Sequence, residues 1–206
     1  MQFVVARSKK ETDLAYERLA AAEVLGCDTE TSALNSRYGK LFSVQFSDGE
    51  LGVLVPISEG VELGRLAEIL EAPRIVKVFH NAKFDLDFLR AGGYSVENIF
   101  DTMIAEKVLT KGANQSASLA ETLYRYFAID LEKSHRSKFN RNWDGIWTGD
   151  LVDYALSDVT HLPQLMREQM LWLERLGLTG EFSAQITKIV DMFAAATSDD
   201  MRDALP

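Results

Sequence analysis

The chain has 206 residues, of which 47% are hydrophobic, and this is enough for one sizeable core but short of two. A formal net charge of −9 argues against a broad basic surface that grips duplex nucleic acid, although it leaves room for a narrow site in which metal ions supply positive charge. The single cysteine, Cys27, excludes an internal disulfide and fits a reducing compartment.

The first ten residues carry their basic side chains after a short apolar stretch, which is the reverse of the order in a signal peptide. No apolar run approaches the roughly 20 residues that a membrane-spanning helix needs. The sequence therefore predicts a soluble, cytoplasmic protein that does not contact membranes.

The first quarter of the chain predicts one helix and then three strands in an antiparallel meander. Residues 10–22 have helical spacing and follow a candidate capping residue, Ser8. A hairpin turn signal, Ser47-Asp48-Gly49-Glu50, joins the second and third strands. The strands are predicted at 24–31, 40–47 and 51–56.

The rest of the chain predicts helices that alternate with short strands. A short strand is predicted at 75–79, and the apolar pair Ile99-Phe100 precedes a capped helix. Helices are predicted at 61–70, from 81 to the glycines at 92–93, at 102–109, at 118–127, at 148–176 with a bend near Pro163, and at 182–193. This order predicts an α/β fold whose mixed sheet has an antiparallel hairpin beside parallel strands and is covered by helices.

Two carboxylates, Asp28 and Glu30, lie at the end of the first predicted strand. Period-2 geometry turns both side chains to one face, where they repel each other unless a cation lies between them. A hard divalent cation with oxygen ligands is the usual partner. Because so short a motif also occurs at solvated strand edges, only matching residues elsewhere in the chain distinguish the two cases.

Two later motifs provide such matches. Asp85 lies one turn into the helix after the strand 75–79, and sites in α/β sheets form at strand ends where connections diverge. Tyr154 and Asp158 are four residues apart, which places both on one face of a helix. The sequence thus predicts one cleft that collects four carboxylates and a phenol.

The chain resembles the DEDD superfamily of 3'-5' exonucleases, which has the ribonuclease H-like fold, in three ordered motifs: Asp28-Thr29-Glu30, Asn81-Ala82-Lys83-Phe84-Asp85 and Tyr154-Ala155-Leu156-Ser157-Asp158. The tyrosine branch is indicated, because the histidine branch would have His where Asp153 stands. The resemblance covers about residues 24–176. It implies a ribonuclease H-like sheet and metal-dependent hydrolysis of phosphodiesters at a free 3' end.

The resemblance also implies two metal ions, Mg²⁺ or Mn²⁺, in an all-oxygen site. In the family's scheme Asp28, Glu30 and Asp158 hold the ion that activates the attacking water, and Asp28 bridges to the second ion. Asp85 acts on that second ion through its water shell. Tyr154 orients the water together with Glu30, since phenols are poor bases at pH 7.

Four residues near these motifs are candidate contacts to the substrate. Thr29 and Thr31 offer hydrogen bonds to the 3' end or merely favour the strand. Leu34 is similar to the leucine that wedges against terminal bases in the proofreading domain of family A DNA polymerases. Asn81 is either a contact to the terminal nucleotide or a helix cap.

A basic and aromatic segment at 133–147 supplies two more candidates, Lys138 and Phe139. Base stacking would explain its aromatic residues, and a solvated surface loop is the alternative. Outside this segment, His80 is interpreted as a packed or capping histidine and Asp101 as a helix cap. The remaining histidines, at 135 and 161, have no role that the family suggests.

The motif Asp28-Thr29-Glu30-Thr31 is similar to the proofreading exonucleases, whereas Leu131-Glu132-Lys133-Ser134 and the helix 154–165 are more similar to ribonuclease D. We predict an exonuclease domain over 1–177, followed by an amphipathic helix and polar tail over 178–206.

The expected substrate is a single-stranded 3' end, with DNA slightly favoured. The alternatives are RNA trimming like that of ribonuclease D and a catalytically silent nucleic-acid-binding module. A polymerase or another domain is an expected partner if the chain is a fragment.

Overall fold

The structure is a computed structural model that describes residues 2–111, 113–131 and 136–202. Within these ranges one six-stranded sheet has helices on both faces. The strands are β1 (Gln2–Val5), β2 (Val24–Thr31), β3 (Leu41–Ser47), β4 (Leu51–Val55), β5 (Val76–Phe79) and β6 (Ile99–Asp101). The helices are α1 (Lys9–Leu19), α2 (Leu66–Glu71), α3 (Ala82–Ala91), α4 (Thr102–Leu109), α5 (Leu119–Phe127), α6 (Gly149–Thr160), α7 (Leu162–Arg175) and α8 (Thr179–Arg202).

The sheet is mixed, with the strand order β1-β4-β3-β2-β5-β6. β2, β3 and β4 form the predicted antiparallel meander, while β1 pairs with β4, β5 with β2 and β6 with β5 in parallel. The predicted fold class is therefore confirmed. Because β2 and β5 run in the same direction, the residues at their carboxyl ends lie at the same edge of the sheet.

The secondary structure differs from the sequence-based prediction in three places. β1 was not predicted, because it is four residues long and lies at the sheet edge, where its side chains are only partly covered. α2 was predicted from residue 61 but begins at Leu66, since Gly64 has a φ of 54° that an α-helix does not accommodate. The predicted bend near Pro163 is a complete break at His161, and Pro163 lies in the first turn of α7.

Apolar side chains form a core on each face of the sheet. One core lies under α1, α2 and α3 and includes Leu19, Phe46 and Leu70. The other lies under α4, α6 and α7 and includes Val78 and Leu156. With both faces covered, the sheet leaves its strand ends as the open surface on which a site can form.

The last helix, α8, packs on both cores through the apolar spacing expected from the sequence. Its contacting residues are Phe182, Ile186, Ile189 and Phe193. The helix continues to Arg202, beyond the helix that the sequence predicted at 182–193. None of the helices in the described ranges combines the length and apolarity that crossing a membrane requires.

Candidate active site

A cleft of about 440 Å³ opens at the carboxyl end of β2. Ten of the eleven candidate site residues line it, which are Asp28, Thr29, Glu30, Thr31, Leu34, Asn81, Asp85, Phe139, Tyr154 and Asp158. The eleventh, Lys138, is exposed at the end of a short 3-10 turn and does not line the cleft. The three motifs, which are far apart in the sequence, therefore meet in one place.

Three of the carboxylates form a tight cluster. Oxygen atoms of Asp28, Glu30 and Asp158 all lie within 4.8 Å of one another. The first two project from the same face of β2, as the period-2 argument predicts, and Asp158 comes from α6, which packs over that face. Each of the three side chains is half-buried.

Gly26 explains how α6 comes close enough to deliver its carboxylate. It lies on the same face of β2 as Asp28, directly below the end of α6. A Cβ atom at this position would clash with the carbonyl oxygen of Val159 and crowd Leu162. The missing side chain therefore permits the close approach of helix to strand that the carboxylate cluster requires.

The electrostatics of the cluster are unfavourable for the protein alone. Burial, reinforced by repulsion from Asp85, Glu30 and Asp158, raises the pKa of Asp28 well above its usual range. A cation placed among these oxygens would relieve that repulsion and favour the ionised form. Carboxylate oxygens alone make up the donor set, which suits a hard divalent ion.

Asp85 approaches β2 from the other side, on the first turn of α3. It is 1% exposed, and its Oδ1 accepts hydrogen bonds from the Thr29 hydroxyl at 2.7 Å and from the Thr29 backbone N–H at 3.1 Å. Burial raises the pKa of Asp85 to about 7, and the bonds from Thr29 oppose this rise. Thr29 therefore holds a carboxylate in place, a role that the sequence did not reveal, and both of its donors are occupied.

Tyr154 is held by an aromatic cluster in the predicted basic and aromatic segment. The Phe139 ring lies 6.0 Å from the Tyr154 ring and also contacts Trp143 and Trp147. The indole N–H of Trp147 donates to the Ser58 hydroxyl at 3.2 Å, which fixes this segment to the body of the protein. Phe139 thus has a packing function in addition to lining the cleft. Residues 132–135, which include His135, lie outside the described residues.

The remaining candidates differ in what their polar atoms do. The Thr31 hydroxyl donates to the Ala33 carbonyl oxygen at 3.0 Å. Asn81 occupies the N-cap position of α3 with a φ of 77°, yet its side chain makes no capping hydrogen bond. Asp101 caps α4 as predicted, and it also accepts bonds from the backbone N–H groups of Asn81 and Ala82. Asn81 therefore lines the cleft without a side-chain capping function.

The cleft has seven further lining residues that were not among the candidates from the sequence. They are Ala33, His80, Phe84, Met103, Ser118, Leu119 and Leu162. His80 lies against Thr102, with 2.8 Å between its Nδ1 and the threonine hydroxyl, and burial lowers its pKa to about 4. It is therefore a neutral, packed histidine, as interpreted from the sequence. Among the apolar members, Ala33 follows β2 and the others come from α3, α4, α5 and α7, and no local signal in the sequence marks these helical residues as neighbours of the carboxylates.

A family model described as a 3'-5' exonuclease matches residues 3–172 of the chain. The chain belongs to this 3'-5' exonuclease family. This confirms the resemblance to the DEDD exonucleases, and with it the conclusion that the chain is an enzyme, a nucleic-acid hydrolase.

Relatives and solved structures agree with this membership. Ribonuclease D of Zymomonas mobilis is 32% identical over 165 residues, which cover 73% of this chain and 40% of the relative. The structure of Escherichia coli RNase D has a TM-score of 0.82 at 23% identity and matches 94% of this chain and 51% of its own. Brucella melitensis NrnC has a TM-score of 0.78 at 23% identity, over 96% of this chain and 93% of its own. The exonuclease thus spans about two fifths of the length of the ribonuclease D relatives, and the structural likenesses show the fold.

Proposed function

We propose that this exonuclease removes nucleotides from single-stranded RNA 3' ends and uses divalent metal ions to do so. The observation that carries the proposal is the cluster of Asp28, Glu30 and Asp158 in a cleft that Tyr154 and Leu34 also line. Phosphodiester hydrolysis needs an activated water and stabilisation of the leaving oxygen, and this constellation suits both.

Asp28, Glu30 and Asp158 are the proposed metal ligands, and Asp85 is a fourth carboxylate on the other side of β2. Mg²⁺ or Mn²⁺ fits an all-oxygen donor set, and Brucella NrnC is known with bound Mg²⁺. When bound, two such ions lower the pKa of the attacking water and stabilise charge on the leaving 3' oxygen. The mutual repulsion of the carboxylates supports the proposal, because a cation relieves it.

The protein's own groups position the reactants. Tyr154 lies half-buried one turn before Asp158 on α6, and we assign it the orientation of the attacking water together with Glu30. Phe139 supports the Tyr154 ring from the opposite segment. Leu34 is 83% exposed at the cleft, where it is able to contact a terminal base.

RNA is proposed as the substrate in place of the DNA that the sequence favoured. The relatives that match the chain at 32% identity are named ribonuclease D, and this supports the RNA alternative.

Cleavage of very short RNA is a second candidate. The chain matches Brucella NrnC over nearly the full length of both proteins, and that protein is known bound to pGG. A chain-length series separates this candidate from the trimming of longer RNA.

The test uses 5'-labelled single-stranded RNA and DNA of 2 to 20 nucleotides, each with Mg²⁺, Mn²⁺ or EDTA. We expect stepwise shortening from the 3' end, faster for RNA, and no reaction in EDTA. Faster cleavage of DNA would overturn the assignment of RNA, and a maximum at two nucleotides would favour the second candidate. Full activity in EDTA would contradict the proposed metal-dependent mechanism. A circular single strand, which has no 3' end, serves as a further substrate, and internal cuts in it would contradict the proposed exonuclease activity.

A further inference from the structure

A loop beside the cleft, residues 32–40, has the composition of a surface that binds nucleic acid. It contains two cations, Arg37 and Lys40, and no acidic residue, in a chain with 31 acidic and 22 basic residues. Its aromatic residue, Tyr38, is 71% exposed and is the most exposed aromatic side chain in the described part of the chain. Exposed aromatic rings beside cations are the elements of single-strand binding sites.

The two cations of this loop have no carboxylate partner among the described residues. Neither Arg37 nor Lys40 forms an ion pair with any residue in the described ranges, and both are exposed. By contrast, six other cations are paired with carboxylates: Arg7, Lys9, Arg65, Lys83, Lys111 and Arg125. The loop therefore presents uncompensated positive charge, which a phosphate backbone complements.

The loop is held in shape by its own hydrogen bonds. Its ends are joined by the bonds from the Ser32 N–H to the Lys40 carbonyl and from the Lys40 N–H to the Ser32 hydroxyl, at 3.0 and 2.8 Å. Inside it, the Asn35 carbonyl accepts from the N–H groups of Tyr38 and Gly39 at 3.1 and 2.8 Å. A stacking surface that is already ordered loses little conformational entropy when a base binds.

The loop is continuous with the cleft. Leu34 lines the cleft, and Tyr38 follows it by one hydrogen-bonded turn. Gly39 packs so closely against the Phe88 ring that a Cβ atom at position 39 would lie 2.8 Å from the ring. The Phe88 ring in turn contacts that of Phe84, which lines the cleft. A strand whose 3' end lies among the carboxylates is therefore able to pass over this loop.

We propose that loop 32–40 binds the nucleotides that precede the 3'-terminal one, with Tyr38 stacked on a base and Arg37 and Lys40 in contact with phosphates. The inference rests on the proposed function, whose cleft it extends to a longer strand. It predicts that affinity increases with strand length.

The first test measures binding separately from hydrolysis. Every protein in it carries Asp158→Ala so that the probes, fluorescein-labelled single-stranded RNA and DNA 8-mers, are not consumed. Since stacking on an aromatic side chain is worth about 1 to 3 kcal/mol per base, we expect Tyr38→Ala to weaken Kd by roughly 5- to 150-fold and Tyr38→Phe to retain affinity. The matched control is Tyr124→Ala on α5, because Tyr124 is 62% exposed and lies outside the cleft.

The cations are tested through the salt dependence of the same binding. Removing one phosphate contact to a single strand lowers the slope of log K against log salt by about 0.7. We expect this reduction for Arg37→Gln and again for Lys40→Gln. The control, Arg18→Gln at the end of α1, removes an exposed cation that bonds only the Gln2 side chain among the described residues, and its slope should match that of the parent.

Kinetics then separate the two proposals. We compare an RNA 8-mer with a one-nucleotide substrate, the p-nitrophenyl ester of thymidine 5'-monophosphate, and expect the loss of kcat/KM in Tyr38→Ala to be at least about fivefold larger on the 8-mer. Equal losses on both substrates, or binding equal to that of Tyr124→Ala, would overturn the role of the loop and leave the exonuclease intact. If the parent protein, with both Tyr38 and Asp158 intact, hydrolyses neither substrate, the proposed function is overturned instead.

Discussion

At the scale of single residues, the proposed active site gathers groups that repel one another in the protein alone. Asp28, Glu30 and Asp158 lie within 4.8 Å of one another, and their repulsion adds to burial in raising the pKa of Asp28. Such an arrangement lowers stability unless a ligand compensates it. The fold maintains it because packing in the two cores, and not the site, holds β2 and α6 together.

The relative importance of Tyr154 and Asp158 tests the assignment of roles at this scale. Tyr154→Phe keeps the ring packing against Phe139 and removes one hydrogen-bonding group, so we expect a loss of about one to two decades in rate. Asp158→Ala removes a proposed ligand and should cost considerably more, with weaker metal binding. Rates over a Mn²⁺ titration decide between them. If Tyr154→Phe is as inactive as Asp158→Ala at saturating metal, the tyrosine takes part in proton transfer.

Thr29→Val tests the contact that holds Asp85. Valine keeps the shape of the side chain and removes the hydroxyl that donates to Asp85 Oδ1 at 2.7 Å. Because this is a hydrogen bond to a buried carboxylate, we expect a loss of about 1 to 3 kcal/mol in the free energy of unfolding and a lower rate of hydrolysis. Urea unfolding and RNA cleavage measure the two effects. Thr29→Ser, which restores the hydroxyl, should recover most of both.

These residues also show what the sequence could predict about the site. Spacing and motif order brought together Asp28, Glu30, Asp85, Tyr154 and Asp158 because each motif is local and recognisable. The bond between Thr29 and Asp85 joins residues 56 positions apart, and it depends on how α3 packs against β2. No local pattern encodes such a contact.

At the scale of secondary structure, periodicity predicted the elements better than their ends. The helix α1 and its Ser8 cap were found because both the cap and the apolar spacing are local signals. β1 was missed because an edge strand of four residues has too few buried side chains to show a pattern. The late start of α2 follows from the backbone at Gly64, since glycine tolerates both helical and left-handed conformations and so does not reveal which is used.

The inner strand β5, which lies between β2 and the edge strand β6, contains a buried lysine that makes stability depend on pH. Lys77 is 0% exposed, its ammonium group donates to the Ala72 carbonyl at 2.7 Å, and burial lowers its pKa to about 8. The nearby Glu97 carboxylate opposes this shift. Between pH 8 and 10.5 the unfolded chain therefore binds more protons at this residue than the native protein does, so its contribution to stability rises with pH.

Lys77→Met removes this pH-dependent contribution to stability and leaves the Ala72 carbonyl bonded to the Ile75 N–H. We expect the variant to gain stability relative to the parent near pH 7, and this gain to shrink by up to about 3 kcal/mol as the pH rises to 10. Urea unfolding of both proteins at several pH values measures the difference, in which titrations common to both cancel. Parallel stability curves for the two proteins would show that the lysine is not desolvated.

At the scale of the whole molecule, α8 joins the two cores that the sheet separates. Phe182 is 7% exposed and its ring lies 4.6 Å from that of Phe100, while Ile189 and Phe193 pack on the opposite core. The sequence predicted the apolar face of this helix from its spacing, but spacing does not say which surface a helix covers. The boundary after residue 177 stays a prediction. Because α8 packs on both cores, we expect the helix to unfold together with the sheet.

Phe182→Ala tests whether α8 belongs to the cooperative unit. Truncation of a buried phenylalanine leaves a cavity and costs about 3 to 5 kcal/mol, and this loss should appear in the single main unfolding transition. The control is Val190→Ala on the same helix, where the side chain is 48% exposed and the expected loss is below about 1 kcal/mol. Neither residue lines the active-site cleft, so both variants should hydrolyse RNA normally at temperatures where they are folded. A separate early transition in Phe182→Ala, with the main transition unchanged, would show instead that α8 is an independent unit on a domain that is complete at residue 177.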